Sequence, residues 1–553
     1  MSGADAQGAG MSGADAHGMG MRRILRWLVA GVFGLLAAGG MAVAAFFMLG
    51  STAGASSPTV CTWTNSSGNA EWSYPTNWNC GSGTSNGPPA VGDAVVFPAT
   101  IPSGSSSKAP YLDESTPTLA SITFDNGYNL GITSSATTLT LDPSYYGVSG
   151  NVAISAYNSN PAEIVNDSST PGTSGSIYIN GNATIEAASG LILDVPLTGG
   201  SSSDTLTFGN ASGGFGGSIE FLWPSTYADG STSVVSGTLT NDIINSLPSS
   251  TSLQVGAASY ELNGWSQTLA GLTGTSGTVD SNAGSPTLTI DSPSTGTGTF
   301  SGSLTGSLSL DKAGSGTLTL SGTNAYTGDT TVSGGTLVAA NGAALGGTAS
   351  TAGSGGAVTV DSGATLQVGS TNSSVTLPND LVLESGSTLA TPTLSSYSSA
   401  TDFSVSGTTT LNGGVSVYAG HDTNLYLEGQ LTGTGSVTTT GPYTTWITDS
   451  SNNYSGGTTV AYTGTLVVEA SGALGTGPVT DEGHAPILLD GSSISLANDF
   501  TISGGSYCAA GSVAELDALE AAHRPGERKA IGRLASRERG CAVHVYRHRV
   551  AGE

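Results

Sequence analysis

In the stretch from Gly314 to Gly346, Leu318 and Leu320 alternate with Thr317 and Thr319, and Val332, Leu337 and Ala339 carry on the same two-residue period. Each apolar run is short and ends in Ser-Gly, Asn, Thr-Gly or Gly-Gly, so the pattern predicts strand, turn, strand, turn. Such a strand buries its Leu and Val on one side and shows hydroxyls on the other. The same signal predicts strands at 119–124, 138–141, 177–179, 191–193 and 288–290. Segments 157–175 and 222–250 show no clear period and are expected as loops projecting from the stack.

The wording repeats. Asn324-Ala-Tyr-Thr-Gly-Asp-Thr-Thr-Val332 returns as Asn452-Asn-Tyr-Ser-Gly-Gly-Thr-Thr-Val460, Gly335-Thr-Leu-Val338 as Gly464-Thr-Leu-Val467, and Gly342-Ala-Ala-Leu-Gly346 as Ser471-Gly-Ala-Leu-Gly475. Leu377-Pro-Asn-Asp-Leu381 and Leu496-Ala-Asn-Asp-Phe500 come in the same order. Repetition of strand wording implies stacked units, each burying its apolar face against the next.

The string Lys312-Ala-Gly-Ser-Gly-Thr-Leu-Thr-Leu-Ser-Gly-Thr-Asn-Ala-Tyr-Thr-Gly-Asp-Thr-Thr-Val332 resembles the autotransporter-associated β-strand repeat, or passenger-associated transport repeat. The motif positions are Gly314, Gly316, Leu318, Leu320, Gly322, Asn324, Tyr326, Gly328, Thr330, Val332, Gly335, Leu337, Leu345 and Gly346. The similarity is close over 312–347 and weaker over 431–475, where Gly433-Thr-Gly435 stands without the family's Lys. It implies an all-β, right-handed parallel β-helix belonging to an exported bacterial surface passenger, an autotransporter-type protein of a Gram-negative bacterium. At roughly 20–25 residues per turn, residues 113–505 are expected to form on the order of 17 coils.

Composition sharpens this picture. Disordered segments combine low hydrophobicity with high charge, whereas here 37% of residues are apolar and only 9% charged. The net charge of −26 is unevenly placed: of 13 Lys and Arg, three lie at 22–26 and eight beyond 520, leaving Lys108 and Lys312 for the whole body. Nucleic-acid and anionic-membrane binding need clustered cations, so neither partner is expected for 56–505. The acidity suits solubility and association with divalent cations at a cell surface.

Residues 1–20 are a near-duplicated polar leader, MSGADAQGAG then MSGADAHGMG. From Met21, Arg22, Arg23 and Arg26 precede an uncharged, largely apolar run, 27–49, and then Ala53-Gly54-Ala55. This describes a signal peptide over 21–55, cleaved before Ser56. The run is also long enough to span a bilayer, so an uncleaved anchor helix is the alternative and would be the chain's only membrane contact. Either outcome exports the chain beyond residue 55.

Residues 56–112 form a Trp-rich module in which Trp63, Trp72 and Trp78 sit among turn residues, ahead of Gly92-Asp-Ala-Val-Val-Phe97. It resembles the opening of many such passengers. The three rings are expected to cap the core, with carbohydrate contact as the alternative. Cys61 and Cys80 flank the module, and in an exported chain two isolated cysteines are expected to pair; a metal site there would want a nearby His.

Chemistry is sparse. Between Ser56 and Gly420 there is no His and no Arg, so a Ser-His-Asp triad or a His-ligated zinc cannot be assembled within that part. His421 and His484 are isolated and expected in surface turns. Asp361-Ser362-Gly363 is superficially similar to the Asp-Ser-Gly of serine-protease passengers, but it sits between two strand patterns where these are ordinary turn residues. No catalytic, cofactor-binding or metal site is assigned, and no cofactor is expected. The function expected is a surface scaffold for adhesion or cell-surface interaction, not an enzyme; the alternative is a β-helix glycoside hydrolase using paired carboxylates.

Beyond Tyr507 the idiom changes. Residues 515–539 are rich in Ala, Glu and Arg, and a short helical or disordered basic tail is expected over 506–553. The abrupt switch also suggests a shifted reading frame, because an autotransporter passenger would be followed by a translocator barrel with alternating, aromatic-girdled strands, a pattern that 507–553 does not carry.

Overall fold

The structure, a computed structural model, describes residues 58–502 apart from 82–86, 101–109, 133, 135, 145–150, 158–159, 167–174, 211–214, 229, 347–354, 396–399, 484 and 492–493, together with 515–518, 532–535 and 541–543. The expected leader, the apolar run 27–49 and the cleavage candidates Ala53, Ala55 and Ser56 lie outside the described residues. Among the described residues no helix is long and apolar enough to cross a membrane.

Short strands of alternating burial wind into successive coils, and each strand pairs in parallel with the strand one coil on. Thr317–Leu320 shows how the sequence produces this: Leu318 and Leu320 point inward, Thr317 and Thr319 outward. It lies in register between Thr297–Phe300 and Thr336–Ala339, with Leu337 above Leu318. A strand buried on one face and paired along both edges leaves no backbone group unbonded. Among the described residues the fold is all-β apart from one short 3-10 turn at Pro75–Asn77, and its parallel strands stack as a β-solenoid.

Three faces recur. One runs through the ladder ending at Gly271–Thr273, crosses a bridge between Gly274 and Phe300, and continues to Phe500–Ile502. Among the described residues it carries seventeen successive strands from Ser121–Phe124 onward. A second ladder runs from Tyr111–Leu112 to Ser303–Leu304, and a third from Gln267–Leu269 to Leu431–Gly433. Inward side chains form one continuous apolar core from Cys61 to Phe500. Coil length is uneven: Leu318 and Leu337 are partners 19 residues apart, Leu139 and Ile177 partners 38 apart.

Two expectations need correction. The segments read as projecting loops contain ladder strands, Ala162–Asn166 within the first and Ser231–Val234 and Thr238–Asn241 within the second. Their inward positions include Thr232 and Asn241, which are buried; polar residues on the buried side hide the two-residue period. In the tail, the described residues are extended instead of helical: Cys541–Val543 pairs antiparallel with Ile487–Leu489, and Gly532–Ala535 with both Ser495–Leu496 and Glu515–Ala518. The last coil offers unpaired edge groups, and strand pairing satisfies them where a helix could not.

Candidate functional site

Buried asparagines hold neighbouring coils together. Asn324 Oδ1 accepts from the backbone N–H of Leu304 at 2.8 Å, one coil back, while its Nδ2 donates to the carbonyl of Ala344 at 2.5 Å, one coil on. Asn379 then donates to the carbonyl of Leu345 from the far side at 2.9 Å. The Ala344-Leu345 corner is thus gripped from both neighbours. The second copy repeats this: Asn452 accepts from Leu431 and donates to Ala473, and Asn498 donates to Leu474. Tyr326, fully buried, shares a hydrogen bond of 2.6 Å with Thr330, and Tyr454 does the same with Thr458. Burial pushes both tyrosine hydroxyls up, the latter to about 12.

The remaining motif positions serve the same stacking. Leu318, Leu320, Val332, Leu337 and Leu345 are buried in the core. The corners are glycine because coils touch there: Gly335 has φ +61°, and a Cβ at Gly322 would run into the carbonyl oxygen of Gly302. Gly314, Gly316, Gly328 and Gly346 likewise approach a neighbouring coil's carbonyl. Lys312, which composition marks only as a rare cation, is fully buried. Its Nζ donates to the carbonyls of Ala313, Gly314 and Gly334. Burial lowers its pKa, and the charges of Asp291 and Asp311 counter that.

The outer side of the second face carries carboxylates. Glu163, Glu220, Glu261 and Asp280 occupy its outward positions, with Glu261 and Asp280 direct register partners. Asp194 and Asp242 follow at the adjoining corner. The Glu220 carboxyl is pushed up to about 7, first by hydrogen bonding to Asp242, then by burial and by the charges of Asp242 and Glu163. Burial and the Asp194 charge raise Glu163; burial and Asp280 raise Glu261. Neutral donors serve the column: Asn129 Nδ2 reaches Glu163 at 2.9 Å, Trp223 Nε1 reaches Asp194 at 3.0 Å, and Asn263 bonds Asp242.

Residues 310–339 match the family model described as Passenger-associated-transport-repeat. They are a passenger-associated transport repeat. The match covers the strands Thr317–Leu320, Thr330–Val332 and Thr336–Ala339 and all but the first residue of Ser309–Ala313, so the transport repeat holds the buried lysine, the tyrosine bond and one of the asparagine clamps. A search of curated proteins and one of solved structures found no match to the chain.

Outside the transport repeat, the N-terminal module closes the stack. Val60–Trp63 pairs antiparallel with Trp78–Cys80 and parallel with Ala94–Phe97. Cys61 and Cys80 face each other in that pair and are disulfide-bonded, with Cα atoms 4.0 Å apart. Asp93 lies beside them, close enough to make a three-ligand cluster, but the bonded sulfurs carry no thiolate for a metal. Trp63, Trp72 and Trp78 are 1–2% exposed and meet edge to face, with ring centroids 4.9 and 4.6 Å apart. This corrects the alternative of carbohydrate contact at these residues, since a sugar cannot reach a ring face inside the core.

The other candidates lie apart. Asp361, Ser362 and Gly363 form a turn in which Ala364 N–H returns to the Asp361 carbonyl, with Gly363 at φ +79°. His421 is 46% exposed, 3.2 Å from Asp422 and against the Tyr443 ring, whose hydroxyl bonds the same carboxylate. His484 lies outside the described residues.

Proposed function

We propose that this chain is the passenger part of an exported, cell-surface protein of a Gram-negative bacterium and works as a stacked scaffold for adhesion or cell-surface interaction. The observation that carries the reading is the transport repeat itself, set without a break in the parallel stack. Its asparagine and lysine are committed to neighbouring coils and its tyrosine to a buried bond within one coil, which leaves interaction to the outward positions. The likeness of the repeat to those of right-handed β-helical passengers supports the same handedness here. Deleting the gene should reduce attachment to a surface or to sister cells while leaving glycan turnover unchanged. Unchanged attachment across several surfaces would defeat the adhesive role.

A further inference from the structure

Trp223, Ile244 and Trp265 succeed one another at intervals of 21 residues. Backbone bonds from Ser225 N to Ser246 O and from Asn245 N to Ser266 O tie the coils at this corner, so the three side chains fall on successive coils. Ile244 is 54% exposed and Trp265 45% exposed, unusual for large apolar residues held in ordered positions. The corner is fixed by its own bonds: Asn245, at φ +51°, accepts from Thr268 N–H, and Ser266 Oγ accepts from Thr287 N–H. Each ridge residue lies two to four positions along the chain from a strand of the second face, whose outer side carries the carboxylate column. Trp223 touches that column directly through its Nε1 bond to Asp194.

We propose that this ridge and the carboxylates beside it, chiefly Glu220, Asp242 and Glu261, dock a cationic segment of a partner protein that also presents apolar side chains. The proposal deepens the interaction reading by naming a surface and a partner chemistry. Charge complementarity selects the partner. Within residues 58–502, Lys312 is the sole Lys or Arg among the described residues, and it is buried, so no cation of the described body relieves the column. Glu163 and Glu261 are raised first by burial and then by the charges of Asp194 and Asp280, and Glu220 first by its hydrogen bond to Asp242, with no cation of the described body to offset any of these. An anionic polymer or lipid surface would be repelled, and a neutral glycan would leave the crowding in place. Lys or Arg side chains pair with the carboxylates and also stack on exposed indole, while apolar neighbours cover Ile244. Parallel strands set the coils about 4.8 Å apart, which suits a segment lying along several of them.

The test titrates a fluorophore-labelled Lys/Leu peptide with the full chain at several salt concentrations. Binding that weakens with salt is expected. The Ile244→Ser/Trp265→Ala double variant should weaken it at least tenfold, and Asp242→Asn/Glu261→Gln should weaken it and flatten the salt dependence. Tyr462→Ala, at an exposed position of a different coil, should leave it unchanged; unfolding midpoints confirm that each variant is folded. Equal binding by the ridge double variant would overturn the proposal, as would binding of a neutral oligosaccharide at the ridge in place of the peptide. If the peptide fails to bind while gene deletion still abolishes attachment, this site falls and the scaffold function stands.

Discussion

Asn324 supplies with one side chain the two hydrogen bonds that a ladder strand would otherwise provide at a corner, one to the coil behind and one to the coil ahead. Because both partners are buried backbone groups, Asn324→Ala leaves an N–H and a carbonyl unpaired, at roughly 1–3 kcal/mol each. Urea unfolding should therefore show a loss of about 2–6 kcal/mol, whereas Thr319→Ala, on the outward side of its strand, should stay within about 0.5 kcal/mol. Glu220 gives a prediction in pH. Its carboxyl rises from 4.5 to about 7 on folding, so between those values the folded chain holds a proton that the unfolded chain has released. Stability contributed by this group is complete below 4.5 and declines as pH rises through 7. Glu220→Gln should remove that part of the decline, raising the unfolding midpoint at pH 8 relative to the parent and changing it little at pH 4. A midpoint difference that is the same at both pH values would show that the pair does not share a proton.

For a strand, the deciding property is which side each residue takes. Leu318 and Thr317 are adjacent in Thr317–Leu320, yet one is in the core and the other outward. Leu318→Asp forfeits the burial of a leucine and buries a charge, a combined cost above about 3 kcal/mol. Thr317→Asp leaves the charge in water. Limited proteolysis should find the first variant cut within the transport repeat and the second resistant; equal sensitivity would mean the register is wrong. The strands of the N-terminal module differ in direction, and that difference has a use. An antiparallel partner at Trp78–Cys80 ends the first ladder without asking for another coil, and edge-to-face indoles seal the core beneath it.

In the stack as a whole, each coil contacts chiefly its neighbours, so stability is close to a sum of coil and interface contributions. Thr458 pairs with Val437 on one side and Val479 on the other. Removing residues 458–478 therefore places Val479 where Thr458 was and keeps every later side chain on its own face. Circular dichroism should show the parent's strand signal and cooperative unfolding for this deletion. Removing half as many residues moves a strand into a corner and should abolish cooperative unfolding. Two deletions of equal effect would argue against a stack with a strict register.

The chain's local wording determines much of this by itself. The two-residue period of Leu318 and Leu320 announces which side is inward, and the ordered return of the asparagine blocks marks the corners that Asn324, Asn379, Asn452 and Asn498 clamp. Both are legible because the residues concerned are neighbours along the chain. What stacks on what is decided only in three dimensions. Paired strands of successive coils are separated by as few as 19 and as many as 38 residues, and no local pattern sets that number. The meeting of Glu220 with Asp242, the alignment of Trp223, Ile244 and Trp265, and the burial of Lys312 against the Gly334 carbonyl all depend on it. Thr232 and Asn241 are polar residues turned inward, and Asn241 finds its partner Gln267 26 residues on, so the sequence shows a gap in the period where the fold has an ordinary strand.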